Sequence, residues 1–341
     1  FIRPAFATNL EAPSVVLTNE NARYTFTALG GGLSEIALVK YPEGVSHHRK
    51  GAPPTSSFAA LNVNAQMPVL ALVGSEGWQE DGVFDLTRTG NTLRAEKTLA
   101  DGLRIVKEFQ LGTNYLVHAS VRFENTANHP LTVPAQEWVI GTATPMGTDD
   151  DGAATGIMWN DGAKQQDTLT AYFENKRFGC MPGTPRTEYR GGASNVVWAA
   201  PHNQFFAFVA MPDTPALEIV ARAIDLPRPL TGRFSFTNSP ARKGFETTLV
   251  YPGLTIEPGK TVERKFNLYA GPKEYSTLAS IAGRLANTVD LVMDFGFFGF
   301  ISKALLLGMN WLHSALSIPY GWAIIVITIL LKIIFWPLTA I

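Results

Sequence analysis

The stretch LRIVKEFQLGTNYLVHASVRF, Leu103 to Phe123, decides the fold. From Tyr115 onward, Tyr115, Val117, Ala119, Val121 and Phe123 fall on one face, and His118, Ser120 and Arg122 on the other. This period of two marks a half-buried strand. Leu103 to Leu111 is a second apolar run, and Gly112-Thr113-Asn114 is short enough to close a hairpin between them. Towards the N-terminus, Arg23 to Leu29 runs into Gly30-Gly31-Gly32 and resumes as Leu33 to Val39. Three glycines between two apolar runs suit a reversal in which the backbone reaches φ > 0. Towards the C-terminus, the turn signal Glu257-Pro258-Gly259-Lys260 leads into the alternation of Val262, Phe266 and Leu268. Asn125 to Pro134 and Gly141 to Gly156 read as long loops. Strands punctuated by Gly, Pro, Asn and Asp, without alternating helices or a fixed-period repeat, predict a large antiparallel two-sheet domain over residues 1–272.

Charged residues make up 17% of the 341-residue chain, against ~25% in ordinary soluble domains. The deficit is local: from Phe295 onward the only formal charges are Lys303 and Lys332. This composition excludes a disordered chain, a collagen-like repeat and an ordinary cytosolic enzyme. The net charge of −1 gives no electrostatic footprint for nucleic acid. The basic run His47-His48-Arg49-Lys50 reads as a solvated loop. A single cysteine, Cys180, precludes an internal disulfide and a multi-cysteine zinc site. Asp149-Asp150-Asp151-Gly152 lacks the alternating oxygen ligands of a calcium loop and reads as an acidic surface loop. No Gly-x-Ser-x-Gly elbow, Walker glycine loop or His-Glu-x-x-His motif is present, so no cofactor or metal is called for.

The pattern changes after Gly271-Pro272. Leu278, Ile281, Leu285, Val289 and Val292 recur at helical spacing, predicting a linking helix within 273–294 that packs on the β domain. Residues 295–317 are aromatic-rich and interrupted by Gly296, Gly299 and Gly308. Phe297, Phe298 and Phe300 at one end and Trp311 at the other suit a helix lying at a bilayer surface. Residues 318–341 hold an apolar run from Gly321 that matches the ~20 residues needed to cross a hydrocarbon core, with Tyr320 and Trp322 at the entry interface. Lys332 interrupts this run about ten residues from either end, roughly 15 Å at 1.5 Å per residue. A lysine there costs on the order of 2.5–3.5 kcal/mol unless it faces water, a partner or a bundle interior, so a functional intramembrane cation is expected.

The segments Tyr269 to Tyr275, Val292-Met-Asp-Phe-Gly296, Phe300-Ile-Ser302, Asn310-Trp-Leu-His-Ser314, Tyr320 to Thr328 and Trp336-Pro-Leu-Thr339 resemble, in order and spacing, the YidC/Oxa/Alb membrane insertase family. The whole chain is similar to its Gram-negative bacterial type. The resemblance implies a β-supersandwich periplasmic domain, a fold shared with sugar mutarotases. It also implies an amphipathic surface helix at about Phe297 to Ser314, and a helix from near Tyr320 running from periplasm to cytoplasm. In the family this last helix carries a basic residue, commonly arginine, inside a hydrophilic groove; the matching position here is Lys332. Five transmembrane helices make the family's core, and the chain is expected to stop inside the first.

The resemblance thus implies a non-enzymatic insertase and chaperone of the bacterial inner membrane, acting alone or with the Sec translocon. Residues 1 to about 317 would lie on the periplasmic side, and nascent inner-membrane proteins and lipid would be the partners. The alternative is a membrane-anchored carbohydrate-binding or mutarotase-like enzyme. It would need a histidine and a carboxylate meeting in a cleft; the candidates are His118, His202 beside Asn203, and Glu137 before Trp138.

Overall fold

The computed structural model describes residues 12–43, 57–74, 78–148, 150–174, 183–229, 235, 242–296 and 299–339. The chain opens with β1 (Ser14–Thr18), β2 (Ala22–Thr27), β3 (Gly32–Pro42), β4 (Phe58–Leu61) and β5 (Leu72–Val73). A meander follows: β6 (Asp85–Thr89), β7 (Thr92–Thr98), β8 (Leu103–Leu111) and β9 (Leu116–Asn125). Next come β10 (Leu131–Val133), β11 (Gln136–Ala143), β12 (Gly156–Asn160) and β13 (Gln165–Leu169), then the short helix α1 (Thr170–Glu174). The last strands are β14 (Glu188–Gly191), β15 (Trp198–His202), β16 (Phe206–Pro212), β17 (Glu218–Asp225), β18 (Lys243–Tyr251), β19 (Leu254–Ile256) and β20 (Thr261–Pro272). Helices α2 (Tyr275–Leu285), α3 (Gly299–Leu316) and α4 (Tyr320–Thr339) complete the described chain.

Every pairing between these strands is antiparallel. Nine strands form one sheet in the order β13-β12-β15-β16-β20-β9-β8-β7-β6. Opposite it lie a five-stranded sheet, β14-β17-β18-β11-β5, and a four-stranded one, β1-β2-β3-β4. The layers meet through aromatic rings. Trp138 of β11 makes an edge-on contact with Phe123 of β9 at 5.9 Å and a tilted one with Phe266 of β20 at 5.3 Å. Phe26 of β2 packs on Phe109 of β8 at 5.1 Å. All five rings are essentially excluded from water, and burying each stabilises the sandwich by about 1.5–3 kcal/mol. The fold is therefore the antiparallel β-supersandwich that the strand pattern and the resemblance together imply.

The Leu103–Phe123 hairpin closes as its sequence indicates, with Leu111 opposite Val117 and Leu103 opposite Asn125. Tyr115 differs: at φ +64° it belongs to the turn, and the second strand begins at Leu116. Two loop expectations are corrected. The 125–134 stretch contains β10, paired to β19. Gly141 lies inside β11 at φ +119°, where a bulge shifts the register against β18 and keeps the strand going to Ala143.

The glycine triplet has a steric reason. Gly30 and Gly31 adopt φ +74° and +56°, and a Cβ on Gly31 would lie 2.5 Å from Cγ of Phe84. The Gly30 carbonyl instead accepts a 2.7 Å hydrogen bond from Nζ of Lys107, which also donates to the Leu70 carbonyl at 2.7 Å. Lys107 is completely buried on the inner face of β8 between Ile105 and Phe109, with its ammonium 4.6 Å from the Phe84 ring centre. Burial pushes its pKa down to about 7.

The helical segment after Gly271-Pro272 is broken rather than continuous. α2 stops where Ala286 takes the left-handed conformation, φ 50°, and Val289–Val292 resumes as a single 3-10 turn. Leu278, Ile281, Val289 and Val292 are buried. Polar bonds tie the segment to the sheet: Trp198 Nε1 donates to Thr288 Oγ1 at 3.1 Å, and Lys273 Nζ lies 2.9 Å from His202 Nδ1. Residues up to Val292 form one compact unit, and Met293 onward forms a second.

Candidate functional site

The second unit is a helical hairpin whose apolar faces are bare. Before α3, the Asp294 side chain accepts from Gly296 N at 2.8 Å. After α3, Ser317 at φ +52° reverses the chain and Pro319 opens α4, its carbonyl accepting from Trp322 N and Ala323 N at 3.0 and 3.2 Å. Proline suits this first turn because its missing N–H would find no helical partner there. The two helices pack through Leu312 and Ala323, both buried. Gly308 faces the same seam: a Cβ there would sit in ordinary contact, 3.8 Å, with Ile327 Cδ1.

Away from that seam, α3 presents Phe300, Ala304, Leu307 and Trp311 along one side at helical spacing. Phe300 is 77% exposed and Trp311 63%. α4 is apolar nearly all round, with Tyr320, Trp322, Ile325, Ile329, Ile333 and Trp336 exposed. A helix of this kind requires an apolar environment or a partner. Lys332 is exposed and lies nine residues after Ala323, half a turn away from the seam at 3.6 residues per turn. Thr328 shares its side one turn earlier, its hydroxyl donating to the Ile324 carbonyl at 2.7 Å. Of the residues singled out in the sequence, Phe300, Trp311, Tyr320, Trp322 and Lys332 thus lie on this hairpin; Phe297 and Phe298 fall outside the described residues. Among the described residues no helix is long and apolar enough to cross a membrane; the side chains at 334, 335 and 337–339 of α4 are not among them.

The histidines and carboxylate of the enzymatic alternative do not converge. Glu137 is buried in β11, held by Arg222 through two bonds of 2.5 and 2.7 Å and by the Thr248 hydroxyl at 2.8 Å. Burial alone would raise its pKa, but the Arg222 fork keeps it below the usual carboxylate range. Trp138 beside it is a core ring. His202 is buried between Asp167, at 3.4 Å, and Lys273; burial lowers its pKa. Asn203 shapes the adjoining turn by accepting from Phe205 N and Phe206 N. His118 lines a cleft of about 350 Å³ on the outer face of β7, β8, β9 and β20. Its Nδ1 lies 2.7 Å from Asn267 Oδ1. Two carboxylates line the cleft: Asp213, whose Oδ1 accepts from Lys265 N at 3.3 Å, and Glu108, bound by Arg94 and by both Nη atoms of Arg122 and held ionised by them. A carboxylate neutralised by two arginines is poorly suited to proton transfer.

In the acidic loop, Asp149 lies outside the described residues. Asp150 accepts from Met146 N and Gly152 N, and Asp151 from Ala153 N, so both carboxylates hold the turn. No group of three or more His, Cys, Asp or Glu among the described residues is placed to hold a metal. Cys180 and the 47–50 basic run are likewise outside them. The sequence reading missed Lys107. Its signal was present: it stands in phase with Ile105 and Phe109, a cation on the inward side of an alternating strand.

A large antiparallel sandwich followed in the chain by an exposed apolar hairpin defines a β-domain protein with a surface suited to an apolar environment. The chain belongs to the YidC periplasmic domain family, whose model matches residues 14–307. The membrane protein insertase YidC of Paraburkholderia phymatum is 26% identical over 343 residues, covering 97% of this chain and 56% of that protein. The chain thus spans about half the length of the curated relatives it matches. The crystal structure of an active YidC insertase aligns over 99% of this chain and 58% of that one, at 12% identity and TM-score 0.34. A galactose mutarotase-like protein from Lactobacillus casei aligns over 76% of this chain and 100% of its own, at 8% identity and TM-score 0.47. At such scores neither likeness bears on activity.

Proposed function

We propose that this chain is the periplasmic domain and opening helices of an inner-membrane insertase and chaperone for nascent membrane proteins, working alone or with the Sec translocon. Family membership supports the class, and the bare hairpin carries the reading, because it exposes aromatic anchors and, on α4, one lysine among apolar side chains. α3, with Phe300 and Trp311 on one side, rests in the headgroup layer. α4 enters the bilayer from Tyr320 and Trp322. Lys332, turned away from α3, faces a hydrated groove completed by helices outside this sequence. There it attracts acidic segments of the incoming chain and lowers the desolvation cost of moving polar groups into the membrane. Lysine supplies the charge without the planar fork of arginine, so it acts as a point charge rather than a bidentate clamp.

The test is insertion of one neutral and one acidic substrate by the natural full-length protein carrying Lys332→Arg, Lys332→Leu or Lys332→Glu. The arginine variant retains activity, and the glutamate variant loses the acidic substrate first, because attraction becomes repulsion. Wild-type insertion of both substrates by the leucine and glutamate variants would sink the role given to this charge.

A further inference from the structure

We propose that His313 is a positioning residue that sets the angle between α3 and α4; this rests on reading α3 as the surface helix and α4 as the membrane-entering one. His313 Nδ1 lies 2.8 Å from the Ile318 carbonyl oxygen. A carbonyl only accepts, so Nδ1 carries the proton and donates. Ile318 sits in the elbow outside both helices, so its carbonyl has no place in either helical ladder. His313 gives this exposed carbonyl a fixed donor from α3 in place of an exchanging water. Across the same elbow the His313 and Tyr320 rings stack, with centres 4.3 Å apart and planes 20° from parallel. Tyr320 also directs its hydroxyl to Asn310 Oδ1 at 3.4 Å. Asn310 and His313 are one turn apart on α3, while Ile318 and Tyr320 lie beyond the reversal at Ser317. The Asn310-Trp-Leu-His-Ser314 segment followed by Tyr320 is therefore one clasp. Its contacts join both sides of the bend, so the bend cannot open without breaking them.

The clasp is tested in the natural full-length protein in lipid nanodiscs, with spin labels at Ala304 and Ile329, two exposed positions outside it. His313→Phe keeps a ring for stacking and loses the donor; His313→Asn keeps a donor near the Nδ1 position. Wild type and His313→Asn should each give one narrow distance peak. His313→Phe should broaden it, with roughly fivefold more population outside the principal distance, as loss of one net hydrogen bond implies. Insertion should fall severalfold in His313→Phe and return in His313→Asn. An unchanged narrow peak in His313→Phe overturns the clasp. A broadened peak with wild-type insertion overturns the claim that the angle matters for insertion. The distances are read without substrate, so failure of the insertase reading leaves the structural result standing.

Discussion

Lys107 makes the sandwich gain stability as pH rises, through one side chain. An ammonium whose folded pKa is about 7, against 10.5 when free, binds its proton more weakly in the native state than in the unfolded chain. The native state is thus disfavoured at low pH and recovers as pH climbs through the interval between the two values. Between about pH 6 and pH 9 the recovery is on the order of 2 to 3 kcal/mol, at 1.36 kcal/mol per unit. Deprotonation leaves two N–H donors, which is what the Gly30 and Leu70 carbonyls require. The comparison is Lys107→Met. It leaves two buried carbonyls unpaired, at about 1–3 kcal/mol each, but also removes a buried charge, so its absolute stability is a poor readout. The slope is the readout. Urea unfolding of wild type and variant across this range should give curves that diverge with rising pH, wild type gaining on the variant. Parallel curves would refute the burial argument, because every other titrating group is common to both proteins.

Gly31→Ala should lower stability by about 3 kcal/mol, from the left-handed backbone and the clash with Phe84, measurable as a lower urea midpoint. Arg222→Ala should cost roughly 3–5 kcal/mol by stranding Glu137 in the core, and Arg222→Ala with Glu137→Gln should recover much of it in a double-mutant cycle. Trp311→Ser should weaken partition of the protein into anionic vesicles about tenfold, read by flotation, while Leu312→Ser, at the α3–α4 seam, should instead loosen the hairpin.

The strand core was legible because alternation is local: the buried side of β9 can be read from Val117 to Phe123 without knowing its neighbours. The order of strands was not, since pairings such as Phe206 with Pro272 join residues far apart in the chain. The break in the helix after Leu285 escaped because Ala286 is a good helix former. Its left-handed turn is set by tertiary contacts, among them the Asn287 side chain directed to Met211 Sδ. The anchors of the hairpin were visible as aromatic residues around a stretch whose only formal charges are Lys303 and Lys332. The pairing of His313 with Ile318 was not, because a carbonyl left free by an elbow has no sequence signature. Glu137 and His202 looked like possible acid–base groups because sequence shows a titratable side chain but not the arginine or lysine beside it.

The nine-stranded sheet ends in β6, with the sequence Asp-Leu-Thr-Arg-Thr, and β13, Gln-Gln-Asp-Thr-Leu. Open strand edges are templates for any extended chain that drifts past, and charged or polar side chains along an edge discourage that pairing. Arg88 of β6 also reaches across to the Val16 carbonyl of β1, occupying an acceptor a stray strand would use. A domain proposed to stand where unfolded membrane segments emerge would meet such chains constantly. Edges this polar let it remain beside them without being drawn into aggregates.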